Sequence, residues 1–128
     1  MNISELLDKK HSFAIIGASN NPDKFGYKIY RQLKNSGIEV FPINNKEPLI
    51  QGDQAYVTLA DLPAKVDVLN FIVPPAISLQ ITKNALALGF KIFWYQPGSF
   101  DQEILEFHEG KNTIVISDQC LLVESQKL

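Results

Sequence analysis

One cysteine and two histidines are all that this chain offers in thiol and imidazole chemistry. A lone cysteine excludes an internal disulfide framework and a cysteine-based zinc site, because each needs a second thiol. His11 precedes the first apolar run and His108 falls late in the last predicted outer helix, and neither has partners at metal-ligand spacing. Charge of one sign is scarce too. The 12 basic and 14 acidic residues leave a net charge of −2 at pH 7, which gives nucleic acid no electrostatic footprint. Long apolar runs are missing. The amino end, Met1 to Asp8, carries acids and no extended hydrophobic core, so it reads as neither a signal peptide nor a membrane span. The expected protein is cytoplasmic and has no membrane partner.

What is present is ordinary globular material. A chain of 128 residues with 45% hydrophobic and 20% charged residues is expected to form one domain over residues 1–128. That length buries a real core but leaves no room for a cofactor domain beside a separate substrate domain.

The organising stretch is Ser12 to Gly26. The apolar run Phe13-Ala14-Ile15-Ile16 stops at Gly17, and a helical pattern resumes after the polar loop Ser19 to Lys24. A strand, a glycine turn and a helix start suit a nucleotide phosphate. Glycine lets the backbone approach the anion, and the unpaired N–H groups of the helix start donate to it. Only part of the G-x-G-x-x-G pattern is there, since Ser19 and Pro22 stand where the second and third glycines would be.

The rest of the chain alternates. Ile3, Leu6 and Leu7 predict a short leading helix capped by Asn2 or Ser4. Phe25, Ile29 and Leu33 share one helix face, stopped at Gly37. Strand two is expected over Ile38 to Ile43, and Asn44, Asn45 and Lys46 follow where an NAD domain usually places an acid for the ribose. Thr58 and Asp61 have the spacing of a capping box around one helical turn. Val66 to Val73 forms strand three, Pro74-Pro75 opens a helix bearing Ile77, Ile81, Ala85 and Leu88, and Lys91 to Trp94 forms strand four. Gln96-Pro97-Gly98 turns into a helix from about Asp101 to Glu109, and Thr113 to Ile116 is strand five.

This alternation predicts an α/β fold: a single Rossmann-like domain whose five-stranded parallel sheet has the order 3-2-1-4-5, with helices on both faces. The ligand is then expected at a switch point between strands one and four, against Gly17 to Ser19, Asn44, Val73 to Pro75 and Gln96 to Gly98.

Gly-Ala-Ser with Asn-Pro-Asp-Lys, then Val-Phe-Pro-Ile-Asn, Thr-Leu-Ala-Asp-Leu-Pro, Val-Pro-Pro, Trp-Tyr-Gln-Pro-Gly and Asp-Gln-Cys-Leu-Leu-Val-Glu occur in that order. In these motifs the chain resembles the small stand-alone CoA-binding proteins, Rossmann-type domains similar to the CoA-binding domain of the succinyl-CoA synthetase α subunit. The resemblance implies binding of CoA or an acyl-CoA. It implies the diphosphate over Gly17, Ala18 and Ser19, and the adenosine near Pro42, Asn44 and Val73. Lys24, Lys46, Pro74, Gln96 and Pro97 complete the expected ligand-binding set. The chain departs from the family pattern where Lys24 replaces an arginine, where Gln119 replaces an arginine before the late cysteine, and where Asn45 replaces a proline.

Several residues carry two readings. Lys46 is either a phosphate contact or a solvated lysine beside Glu47. Its charge suits the 2′-phosphate of NADP as well as the 3′-phosphate of CoA, so a small NADP- or NAD-dependent enzyme is the alternative. Gln96 either orients a substrate or satisfies loop carbonyls. Cys120 is either a small core residue or a thiol that meets the thiol of CoA. Asp118 can cap the final turn, and Trp94 reads as core. No nucleophile, base and orienting residue assemble at the expected edge, so a carrier, sensor or accessory module is favoured over a catalyst, with any chemistry left to a protein partner.

Overall fold

The computed structural model describes residues 2–128. Its elements are α1 (Ile3–Leu6), β1 (Phe13–Ile16), α2 (Phe25–Asn35), β2 (Val40–Ile43), a hairpin of β3 (Leu49–Ile50) and β4 (Asp53–Gln54), and a 3-10 turn (Leu59–Asp61). There follow β5 (Val68–Phe71), α3 (Pro75–Ala87), β6 (Ile92–Tyr95), α4 (Gln102–Phe107), β7 (Ile114–Ile116) and α5 (Leu121–Ser125). The expected alternation is present, with the helix ends chemically marked. Asn2 accepts from the Glu5 N–H, Thr58 and Asp61 form the capping box, and Asp101 accepts from the Ile104 N–H. Helix α2 stops at Gly37, whose φ is 80°, and the Ile38 N–H returns to the Leu33 carbonyl at 3.1 Å.

All five strands of the main sheet are parallel, and both faces are covered. Phe13, Ile15, Val68 and Trp94 point to one side, where Leu6, Ile29, Leu33 and Leu121 bring α1, α2 and α5 against them. Ala14, Ile16, Phe71, Phe93 and Tyr95 point to the other, against α3 and α4 through Ala85 and Ile104. Trp94 is fully buried, as expected, and its Nε1 donates to the Gln119 carbonyl at 2.9 Å. Among the described residues no helix is long and apolar enough to cross a membrane.

The strand order differs from the expected one. It runs β2-β1-β5-β6-β7, so the third long strand returns to the far side of β1 instead of extending beyond β2. Pro42 supplies the physical reason. The Phe13 and Gly17 N–H groups donate to the Glu39 and Ile43 carbonyls, which leaves Pro42 facing the outer edge of β2 without an N–H. A strand with such a residue on its outward side cannot accept a full neighbour and belongs at a sheet edge. That edge is closed by one bridge only. The Tyr56 N–H donates to the Pro42 carbonyl and the Asn44 N–H to the Tyr56 carbonyl, both at 3.0 Å. The switch point therefore lies between β1 and β5.

The hairpin and α5 were not among the expected elements. Asp53 of the hairpin accepts from Tyr30 Oη and Lys34 Nζ of α2, each at 2.6 Å, and Lys34, then Tyr30, hold its carboxyl below the usual carboxylate range.

On the opposite face a buried polar chain links four segments. Tyr95 Oη lies 2.7 Å from Thr82 Oγ1 and 2.8 Å from His108 Nε2, while His108 Nδ1 lies 2.9 Å from Thr113 Oγ1. Burial first, and then Lys111, push the His108 pKa below its ordinary value of 6.5. The folded chain thus prefers the neutral ring, and the unfolded chain binds the extra proton. Stability is expected to be full above about pH 6.5 and to decline as the pH falls from there towards the lower folded value. Urea denaturation across that range measures the slope, which His108→Gln should flatten. An unchanged slope in the variant would move its origin to another group.

Candidate functional site

The site begins with an approach of two backbones. Gly17 ends β1 with φ of 102°, and a Cβ there would lie 2.8 Å from the Ile72 carbonyl oxygen and 3.1 Å from Val73 Cγ1. Gly26, in the first turn of α2, sits so close beneath the same turn that a Cβ on it would overlap the Gly17 carbonyl oxygen. Gly17 and Gly26, nine positions apart in the sequence, thus do the work of close approach and of close helix packing. The role of Gly26 was missed in the sequence. Its signal was a glycine inside a predicted helix, where it costs about 1 kcal/mol relative to alanine unless packing demands it.

Above these glycines opens a cleft of about 540 Å³. Gly17, Ala18, Ser19 and Lys24 form its wall on the β1 side, joined by Gly26. Asn44, Asn45 and Lys46 form the wall beyond β2, and Ile72, Val73 and Pro74 the wall beyond β5. The lining holds two lysines and no carboxylate. The N-terminus of α2 opens here, with Lys24 as its N-cap, no side-chain capping bond and no acid in its first turn. Uncapped N–H groups and two cations make the cleft chemically fit for a phosphate-bearing anion.

Asn44 has a structural task within this wall. Its Nδ2 donates to the Ala18 carbonyl at 2.9 Å, and its Oδ1 accepts from the Lys46 and Glu47 N–H groups at 2.7 and 2.8 Å. Only an amide can donate and accept in this way, since a carboxylate in its place could not donate to Ala18. The absent ribose acid after strand two is therefore a consequence of loop architecture.

Five of the expected residues, Pro42, Pro75, Gln96, Pro97 and Gly98, do not line the cleft. Pro42 is buried in the sheet edge, where its carbonyl accepts from Tyr56. Gln96 is buried beyond β6, one strand farther from β1 than expected, because β5 intervenes. Its Oε1 accepts from the Leu121 N–H at 2.8 Å and from Asn70 Nδ2 at 3.4 Å, and its Nε2 donates to Cys120 Sγ at 3.3 Å. It fastens the start of α5 to the sheet. Pro97 lines an adjoining depression of about 310 Å³ with Val73, Pro74 and Ser99. Cys120 is half-buried and is itself the N-cap of α5, a position that Asp118 does not take. A second depression, of about 170 Å³, opens from the cleft at Gly17, Asn44 and Val73 and is walled by Ile16, Ile43, Val57, Ile77 and Ile81.

His11 bonds Asp8 before β1, at the sheet edge remote from the cleft, and His108 belongs to the buried chain with Tyr95. Among the described residues no group of three or more histidine, cysteine, aspartate or glutamate side chains could hold a metal ion.

Comparison with known proteins follows the same lines. Residues 11–126 match the family described as CoA binding domain. The chain is 24% identical over 121 residues to the uncharacterised protein YneT of Bacillus subtilis, covering 94% of this chain and 90% of YneT. It is 42% identical over 62 residues to the α subunit of the ADP-forming acetate–CoA ligase II of Pyrococcus furiosus, covering 48% of this chain and 14% of the subunit. The chain thus spans nearly all of one relative and a small part of the other. A conserved hypothetical protein from Pyrococcus furiosus superposes with a TM-score of 0.85 at 39% identity, covering 89% of this chain and 98% of that one. These likenesses lend no support to a nicotinamide cofactor.

The glycine contact predicts a sign. In an exposed helix Gly→Ala stabilises by about 1 kcal/mol, whereas the overlap with the Gly17 carbonyl should make Gly26→Ala destabilising by about 1–3 kcal/mol. Chemical denaturation measures it, and a stabilised variant would show that the two backbones are not in tight contact.

Proposed function

Since the chain belongs to the CoA binding domain family, we propose that it binds CoA or an acyl-CoA in the cleft above Gly17 and acts as a non-catalytic carrier, sensor or accessory module. The observation that carries this reading is the lining itself: Gly17, Ala18, Ser19, Lys24, Asn44, Lys46, Val73 and Pro74 share one cleft at an uncapped helix start, with no acid among them. In this reading the diphosphate lies over Gly17 to Ser19, held by backbone N–H groups and Lys24. Lys46 meets the phosphate on the ribose, and the depression walled by Ile43, Val57, Ile77 and Ile81 receives the adenine ring. No acid lines any wall of the cleft, which favours a ligand with three phosphates over one with two. The ligase relatives suggest the reaction class of a partner, acyl transfer to or from the CoA thiol, with the chemistry on that partner.

Isothermal titration with CoA, NADP and NAD tests the ligand. CoA is expected to bind most tightly, and tightest binding by NAD would overturn the assignment. The Lys46 contact is charge-assisted, so Lys46→Ala should weaken CoA roughly tenfold while leaving dephospho-CoA nearly unchanged. Equal loss for both ligands would remove Lys46 from the ribose phosphate. Gly17→Val should lose CoA binding by more than its loss of stability explains, because its side chain would project into backbone beside the diphosphate.

A further inference from the structure

The walls of the cleft after β1 and after β2 belong to segments that the sheet alone does not hold together. Ser19 is in the polar loop after β1, and Lys46 is on an exposed loop beyond the edge strand β2. Near the sheet they are tied by Asn44 to Ala18. Farther out a second tie exists. Asn20 Nδ2 donates to the Leu49 carbonyl at 2.8 Å, and Asn20 Oδ1 accepts from the Gln51 N–H at 2.7 Å. One side-chain amide thus meets a carbonyl and an N–H two residues apart, as the peptide of a neighbouring strand would.

We infer that Asn20 is a positioning residue of the CoA site, clasping the hairpin to the glycine loop so that Ser19 and Lys46 face the ligand at a fixed separation. The inference rests on the CoA reading above. Residues 44–51 are tied to the loop after β1 at both ends, by Asn44 at the start and by Asn20 at the finish, and Lys46 lies within the closed ring. Apolar packing holds this end through Ile50, which is fully buried in the core, whereas Leu49 is 55% exposed, so the bonds of Asn20 are the polar tie from here to the loop after β1. The other side-chain hydrogen bonds of the hairpin reach α2: Gln51 Nε2 donates to the Tyr27 carbonyl, and Asp53 binds Tyr30 and Lys34. Gln51 adopts φ of 50°, the one non-glycine positive φ among the described residues. That conformation is costly for a side chain and persists where its surroundings impose it. The Asn20 bond to its N–H is one such constraint.

Two measurements on wild type, Asn20→Ala and Asn20→Asp test the clasp. The first is titration with CoA and dephospho-CoA. Asn20→Ala should weaken CoA about three- to tenfold, narrow the preference for CoA over dephospho-CoA, and leave the unfolding midpoint nearly unchanged. Asn20→Asp keeps the acceptor for Gln51 but loses the donor to Leu49 and adds a charge that repels phosphate, so it should restore none of the preference lost in Asn20→Ala. A loss equal for both ligands, or no loss, overturns the inference. The second is amide hydrogen exchange of the unliganded protein. Removing the clasp should speed exchange at Gln51 and, through the loosened ring, at Lys46 and Glu47 as well. Faster exchange at Gln51 alone overturns the inference. If wild type binds no CoA, the function proposed above fails, and the exchange result alone decides whether Asn20 holds the Lys46 loop.

Discussion

The overlap-limited contact between Gly26 and the Gly17 carbonyl is the constraint on which the rest of the molecule depends. It brings the first turn of α2 beneath the end of β1, and from there Ile29, Tyr30 and Leu33 have no choice but to bury against Phe13 and Ile15. The same approach leaves the first N–H groups of α2 open towards the cleft, where a side-chain cap would otherwise close them. The packing of α2 and its open first turn thus come from one geometric fact. The aromatic and aliphatic core secures it on both faces of the sheet, so the turn above Gly17 stands on a rigid base.

Most elements were legible because their signals are local. Periodicity marked β1, α2, α3 and β6, the capping box of Thr58 and Asp61 marked one helical turn, and the helix expected from about Asp101 starts at Gln102. Strand order was not read correctly, although a signal for it was present. Pro42 within strand two fits an edge strand and disfavours the interior place that the order 3-2-1-4-5 assigns it. The order of a sheet is a long-range property, and the periodicity of each strand says nothing about its neighbour. The two-residue strands of the hairpin were illegible for a different reason: the sole buried side chain in Leu49–Gln54 is Ile50, and the fastenings are Asp53, Asn20 and Gln51 to distant partners.

The expected site residues divide along the same line. Those on the loops after β1, β2 and β5 line one cleft because these three strands are adjacent, whichever way the remaining ones are arranged. Gln96 does not, because its place depended on strand four lying beside β1. Its amide instead satisfies Leu121 and Asn70 in a buried corner, the blander of its two readings. Asn70 keeps its Oδ1 buried without a hydrogen-bond partner in that corner, a cost of about 1–3 kcal/mol that the surrounding packing has to offset.

Asparagine recurs where the cleft is tied together, and its chemistry explains why. Asn44 must donate to Ala18 and accept from Lys46 and Glu47, while Asn20 must donate to Leu49 and accept from Gln51. An aspartate at either place would lose the donor and would also add a negative charge within a few bonds of the glycine turn. Beside a diphosphate that charge would repel the ligand through a partly desolvated cleft, where screening is weaker than in bulk water. An amide gives the same acceptor at no cost in charge. The two lysines can then set the sign of the cleft unopposed, and the loops beside it stay in register.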